Sequence, residues 1–493
     1  MKDLQRFGTY LCNVRKSKKI QVLPQVLIED YAAEGKSLAR VEGKVIFVEG
    51  AVPGDVADLR ITKSKKDWAE ASVQRFHNFS PDRVSPFCSH FGVCGGCKWQ
   101  MLPYVEQLKY KQREVEQQLK RIGKLEIPAL LPIIGSDATT HYRNKLEFTF
   151  SNKRYLKKEE LDERLKLRAA HQIEGQPTPE DPALGFHVPR LFDKVIDIET
   201  CHLQPEPSNA IRLFIRQFAM ERGFSFYDIR AHEGWLRTLI IRTSSLGETM
   251  VNLTFGHDNE PDRCLLFDAL LKAFPQITTL VYTINPKWND SIYDLDPVTY
   301  YGEGYMKEKL GDFIYKIGPK SFFQTNTAQA EKLYEVTRTF AGLTGNEILY
   351  DLYCGTGSIG IFCSGKAKKV IGVEVIAEAI EDAYQNARLN DLDNVSFFAG
   401  DVVDVCTDTF FAEHGRPDVV ITDPPRAGMH EKLVRKLLEM EAPKIVYVSC
   451  NPATQARDLQ LLDQKYSIEL LQPVDLFPHT HHIENVALLK FRS

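Results

Sequence analysis

Between residues 347 and 374 the chain reads as a β-strand, a glycine-rich turn, a helix and a second β-strand: EILYDLY, CGTGSIG and, further on, KVIGVE. This run limits the fold more than any other feature. Gly355, Gly357 and Gly360 form G-x-G-x-x-G, a spacing that lets the backbone turn sharply and come close to a ligand. Glu374 ends the second strand about 20 residues on, where a carboxylate accepts hydrogen bonds from both hydroxyls of a ribose. The alternation continues, with apolar strands at 347–352, 369–374, 395–399, 418–422 and 444–449 and helical stretches between them. It predicts a doubly wound, mostly parallel, Rossmann-like α/β sheet that binds ligands beyond the carboxyl ends of its strands. The glycine turn with Glu374 indicates a nucleoside-type cofactor and leaves open NAD or S-adenosylmethionine.

Asp351, just before the glycines, is a feature of methyltransferase first loops. Asp401, in GDVVD, sits where an adenine contact would lie, and equally where an aspartate would cap a surface turn. Asp423 in DPPR ends the fourth strand and Cys450 in VSCNP follows the fifth, so both face the cofactor end of the sheet. A thiolate there can add to an electron-poor double bond such as C6 of a pyrimidine. Glu484, in HTHHIENVALL before the last strand, can serve as a general base. His479, His481 and His482 beside it read as a structural or substrate-shaping loop. Cys12, Cys264, Cys363 and Cys406 read as small apolar residues, and Cys354 as packing inside the glycine loop.

The N-terminal part differs in charge. Residues 1–170 carry 31 basic and 21 acidic side chains, whereas 171–493 carry 31 and 45, so an overall charge of −4 conceals a basic front. That asymmetry points to a polyanion partner. Residues 20–77 alternate β-rich runs with turns, predicting about five strands in an OB-like barrel studded with Lys and Arg. Cys88, Cys94 and Cys97 follow as C-x5-C-x2-C, three thiols wanting a fourth, and the spacing leaves zinc and an iron–sulfur cluster equally open. A helix is predicted over 103–122 and strands over 139–150, 236–244, 248–255 and 278–285, with a charged, then Pro-rich insertion or loose loop at 152–183. The domain scheme is a barrel at 15–77, a cysteine segment at 78–125, a central α+β domain at 126–320 and a cofactor-binding α/β domain at 321–493. With no apolar run of membrane length and no signal peptide, a cytoplasmic protein is expected.

CSHFGVCGGC, SFFQTN, DLYCGTGSIG, DPPRAG, VSCNPAT and LFPHTHHIENVALL together resemble the RNA uracil-5-methyltransferases, closest to the iron–sulfur branch acting on 23S ribosomal RNA. The resemblance runs over nearly the whole chain. It implies a class I S-adenosylmethionine-dependent methyltransferase domain behind a TRAM-type barrel. Cys450 would attack C6 of the uracil and Glu484 would remove the C5 proton. Gln324, Tyr353, Ser358, Glu374, Asp401 and Asp423 would line the cofactor site, with Phe322 as an apolar wall. Cys201 would join Cys88, Cys94 and Cys97 around a [4Fe–4S] cluster. The implied partner is RNA, with neither DNA nor a membrane involved, and the expected state is a monomer. Competing readings are a transfer-RNA uracil-5-methyltransferase and a non-catalytic RNA-binding protein with a methyltransferase fold. An exocyclic-amine methyltransferase is disfavoured because Arg426 stands where its aromatic residue belongs. An NAD-linked redox enzyme is disfavoured because it would leave the barrel unexplained.

Overall fold

The computed structural model describes residues 21–170 and 181–492, so Cys12 and the Pro-rich stretch at 171–180 lie outside the described residues. The chain divides into two compact units, the first ending at Arg83 and the second running from Val84 to the C-terminus.

The first unit is one six-stranded sheet in the order Val22–Leu27, Val56–Ser64, Trp68–Asn78, Lys44–Glu49, Ser37–Val41, Asp30–Tyr31. All neighbours are antiparallel except Lys44–Glu49 with Trp68–Asn78. Small and branched residues (Ala39, Ile46, Val48, Ala57, Leu59, Ala71) alternate inward to form its core. The sequence predicts five strands and the structure has six. The extra one, Asp30–Tyr31, has only two residues, too few for an alternating pattern to register. Asp55 is buried and receives Val52 N–H, Ser80 N–H and the Arg83 guanidinium, which fastens the end of the unit back onto its turn.

The second unit holds two seven-stranded sheets. One is mixed, in the order Val298–Tyr301, Thr279–Ile284, Thr249–Phe255, Leu236–Thr243, Lys145–Ser151, Ala183–Val188, Leu191–Asp197. The predicted strand at 139–150 forms only from Lys145. Residues 141 and 143 instead donate backbone N–H groups to His202 and Leu203. The predicted loose insertion contains a helix, Lys158–Ala170, whose approaches are tied by Arg154–Glu160 and Arg164–Asp181 ion pairs.

The other sheet runs Val395–Ala399, Lys369–Glu374, Ile348–Leu352, Val419–Thr422, Lys444–Ser449, Glu484–Phe491, Tyr466–Val474. Its first five strands are parallel, and Glu484–Phe491 lies antiparallel between Lys444–Ser449 and Tyr466–Val474. The strand order reverses between Ile348–Leu352 and Val419–Thr422, and such a switch opens a crevice at the carboxyl ends. The helix Tyr104–Arg121 sends Val115 and Leu119 into the same core as Tyr350, Tyr447 and Leu459. Among the described residues no helix is long and apolar enough to cross a membrane.

Candidate active site

The crevice begins where Ile348–Leu352 ends. Tyr353, Gly355 and Gly357 all take the left-handed backbone, with φ of 61°, 52° and 77°. A Cβ on Gly357 would sit 2.9 Å from the Phe397 ring, so packing alone demands glycine there. A Cβ on Gly355 would meet nothing within 4 Å, so that face of the turn is open to a ligand. Asp351 lies wholly buried behind the turn. One of its oxygens accepts Gly360 N–H at 2.8 Å and the other has no partner among the described residues. Burial pushes this carboxyl up to about 7.

Glu374 is nearly buried at the end of the next strand, accepting Gly355 N–H at 3.2 Å and Ile376 N–H at 3.1 Å. Those bonds aim its carboxylate over the glycine turn. Val375 and Ile376 follow it with most of their surface exposed, an apolar shelf that the sequence reading did not single out. Asp401 is exposed and caps the short helix Val402–Val405 through Val403 N–H at 2.8 Å, while standing near Tyr353. Ser358 shares a 2.9 Å hydrogen bond with the Tyr334 hydroxyl, a residue with no sequence motif to mark it. Gln324 gives its backbone carbonyl to Asn144 and keeps its side-chain amide unengaged among the described residues. Phe322, two residues earlier, is 70% exposed.

Two carboxyls and a thiol come together across the crevice. In the pairing of Lys444–Ser449 with Glu484–Phe491, Ser449 faces Asn485, so Cys450 and Glu484 emerge at the same end of neighbouring strands. Glu484 is buried, and burial together with the Asp423 carboxyl raises it well above its ordinary range. Burial raises Asp423 to about 7. Burial, Glu484 and Asp423 push the half-buried Cys450 thiol up to about 12, against the opposing pull of the Arg426 guanidinium and a backbone hydrogen bond. The two loops are stitched together, since Asn451 and Thr454 both donate to the Arg426 carbonyl, at 3.0 and 3.3 Å. Asp458 holds the same loop from below, accepting Met429 N–H and the Tyr447 hydroxyl at 2.7 Å each. Asp458 and the site role of Arg426 escape sequence reasoning because neither carries a pattern of its own.

The histidine loop reaches Glu484 from the other side. Burial lowers His479, His481 and His482 to about 4, 3 and 4, so all three are neutral near pH 7. The His479 carbonyl accepts the N–H groups of Lys98 and Trp99, and Gln107 receives His479 N–H at 2.8 Å. The loop that leads to Glu484 is therefore bound to the segment that carries the cysteines.

Cys88, Cys94, Cys97 and Cys201 all line one cavity of about 350 Å³, together with Arg143 and His202. All four are free thiols. Burial raises Cys94 to about 12 and Cys97 to about 11, with the other cysteines adding to each. Among the described residues no three His, Cys, Asp or Glu side chains converge closely enough to hold a single metal ion.

Residues 301–492 match the family model for tRNA (uracil-5-)-methyltransferase, and residues 23–73 match the TRAM domain. The chain is 54% identical over 465 residues to a Bacteroides thetaiotaomicron protein described as an uncharacterized RNA methyltransferase, covering 94% of this chain and all of that one. A Porphyromonas gingivalis protein of the same description is 50% identical over 467 residues, 94% of this chain and 98% of its own. Among solved structures, the chain resembles Pyrococcus abyssi tRNA (uracil-54, C5)-methyltransferase in complex with S-adenosyl-L-homocysteine. That match has a TM-score of 0.71 and 29% identity, and covers 94% of this chain and all of that one. The chain belongs to the RNA uracil-5-methyltransferase family, whose members take their methyl group from S-adenosylmethionine.

Proposed function

We propose that the protein methylates C5 of one uracil in 23S ribosomal RNA through a covalent adduct on Cys450. The observation that carries this is the meeting of the Cys450 and Glu484 positions at one end of two paired strands, with Asp423 and Arg426 close enough to act on both. C5 of uracil is a weak nucleophile until C6 is attacked. The Cys450 sulfur bonds to C6 while its proton passes to a neighbouring carboxylate, and the displaced electron pair makes an enolate. When bound, S-adenosylmethionine supplies the methyl group that C5 takes. Glu484 then withdraws the C5 proton, the electron pair re-forms the C5–C6 double bond, and the C6–S bond breaks. Glu484 needs a raised basicity for this, which its burial provides. The target base must leave its stack to reach such a crevice, which favours an unpaired uracil.

Gln324, Tyr353, Ser358, Glu374, Asp401 and Asp423 are proposed to hold the cofactor. The open face of Gly355 supports the fit, because a ligand can approach the backbone of the turn there. Cys88, Cys94, Cys97 and Cys201 are proposed to hold a [4Fe–4S] cluster. Four thiols lining one cavity support this reading, which rests on the resemblance for the choice of a cluster over zinc. Such a cluster would act structurally, cross-linking the 88–97 loop to the central sheet; iron and sulfide content after anaerobic purification tests it. The free thiols and the RNA substrate support a cytoplasmic setting, and we propose a monomer. A transfer-RNA substrate is the second reading, favoured by the P. abyssi neighbour.

The test is trapping. RNA transcribed with 5-fluorouridine carries a fluorine at C5 that no base can remove as a proton, so the Cys450 adduct persists on a denaturing gel. A shifted band with 23S RNA that vanishes in Cys450→Ala is expected. A band only with transfer RNA moves the substrate to the second reading, and no band with either RNA overturns the uracil-5 mechanism.

A further inference from the structure

The three most exposed large apolar side chains among the described residues are Trp288, Tyr293 and Phe322, at 77%, 71% and 70%. They lie on segments that are fastened to one another. Lys320 donates its ammonium to the carbonyls of Tyr293 and Leu295, at 3.1 Å each, and so ties the Trp288–Tyr293 loop to the SFFQTN segment. That segment carries Phe322 and Gln324, both proposed above to face the crevice. Arg242 grips it from within the central sheet through the Ser321 carbonyl at 2.8 Å.

The loop is rigidly built. Arg237 is buried and binds the carbonyls of Asn285 and Lys287 at 2.6 Å, that of Asn289 at 3.0 Å, and the Asp290 carboxylate at 2.7 Å. Asn285 adds two bonds across the same turn. A buried guanidinium spent on four loop groups holds Trp288 in one position. One face of its indole lies flat on the His232 imidazole, with centroids 4.8 Å apart and planes 6° off parallel. His232 itself takes φ 59°, and its Nδ1 is buried without a partner among the described residues. Beside the stack is a cavity of about 360 Å³ lined by Tyr227, His232, Glu233, His257 and Asn285. Nothing in the core requires an indole to be displayed in this way, and exposed apolar groups this large mark binding surfaces.

Two of the three aspartates between 288 and 297 are neutralised, Asp290 by Arg237 and Asp294 by Lys287, which lessens repulsion of a phosphate chain. Flat aromatic faces in series suit unpaired bases, which stack on them whatever their sequence.

We infer that Trp288, backed by His232, and Tyr293 form a stacking track for unpaired RNA nucleotides flanking the target base, ending at Phe322 on the crevice. This rests on the RNA uracil-5 reading above for what occupies the crevice. The track itself is tested without it. The probe is a short single-stranded RNA of mixed sequence, with acrylamide quenching of tryptophan fluorescence as the readout. Trp99 and Trp235 are buried and Trp68 is partly covered, so Trp288 is the most quencher-accessible of the four.

The single strand is expected to protect Trp288. Trp288→Ala should bind it about tenfold more weakly, a stacking contribution of about 1.4 kcal/mol. Trp288→Phe should recover most of that affinity, and Tyr293→Ala should cause a second loss. Unchanged binding of S-adenosylmethionine by calorimetry shows that the variants are folded. An indole left accessible in the RNA-bound protein, or wild-type affinity in Trp288→Ala, overturns the track. The 5-fluorouridine adduct is scored in parallel on wild-type protein. An adduct without indole protection overturns the track alone, whereas protection without an adduct upholds the track and overturns the uracil-5 reading.

Discussion

Lys111 and Asp475 form a wholly buried ion pair at 2.6 Å, between the helix Tyr104–Arg121 and the turn that leads into the histidine loop. Replacing Lys111 with Met keeps most of the side-chain volume and removes the charge. Breaking a buried pair by deleting one partner costs about 3–5 kcal/mol, because the remaining charge is left uncompensated in a poor dielectric. Here Asp475 keeps the Tyr104 hydroxyl at 2.9 Å and Phe477 N–H at 2.9 Å, so the lower figure, about 3 kcal/mol, is expected. The Phe477 carbonyl also loses the Lys111 ammonium, and Phe477 begins the loop that ends at Glu484. Activity should therefore fall along with stability. Urea unfolding of wild type, Lys111→Met, Asp475→Asn and the double variant gives the coupling free energy directly. The double variant should be more stable than Lys111→Met, since no net charge remains buried. A coupling below about 1 kcal/mol, or a double variant as unstable as the sum of the singles, would refute the assignment of this pair as the clamp on the loop.

Glu484→Gln cannot accept the C5 proton, so turnover should drop about 10²–10⁴-fold while a covalent species accumulates even on ordinary uridine RNA, visible on a denaturing gel. Burial raises the Asp351 carboxyl from 3.8 to about 7, so the neutral form belongs to the folded state. Its favourable contribution is full below about pH 4 and is lost as pH rises through 7. Asp351→Asn should therefore flatten the fall of the cofactor-free melting temperature between pH 4 and 8. Gly357→Ala forces a Cβ to 2.9 Å from Phe397 at φ 77°, and should cost about 1–3 kcal/mol, read as a lower denaturation midpoint. Binding of S-adenosylmethionine should release protons at pH 6 by favouring the ionised form of raised carboxyls such as Asp423, detected as a buffer-dependent heat in calorimetry; identical heats in all buffers would count against it.

The sheet from 347 to 449 is legible because parallel strands buried on both faces read as unbroken runs of Val, Ile and Leu. Leu349, Val370, Val420 and Ile445 are all fully buried in the structure. Strand ends are then legible too, and with them the placing of Glu374, Asp423 and Cys450. The Lys158–Ala170 helix is not, because it has no apolar stripe and hides in a run of charges, where it is held by ion pairs rather than by burial. The Lys111–Asp475 pair joins positions 364 residues apart, and no local pattern encodes such a partnership. Trp288 is equally silent in sequence. A lone tryptophan reads as core, and only the fold shows it displayed on His232.

What the sequence cannot express at all is the collective charge of the crevice. Asp351, Glu374, Asp423 and Glu484 approach the same space, and the Arg426 guanidinium acts against them at the Cys450–Glu484 end. In a buried setting these carboxyls cannot all ionise, so Asp351, Asp423 and Glu484 hold protons well above the usual carboxylate range, and the Cys450 thiol stays protonated with them. A thiol held in its protonated form is a weak nucleophile. A positively charged ligand reverses the balance. It favours ionised carboxylates at the cofactor end, and each ionised carboxylate becomes an acceptor for the thiol proton once a pyrimidine is in reach. On the proposed mechanism, Glu484 and Asp423, which hold the half-buried Cys450 thiol in its protonated form, thus tie its reactivity to occupancy by a cationic methyl donor.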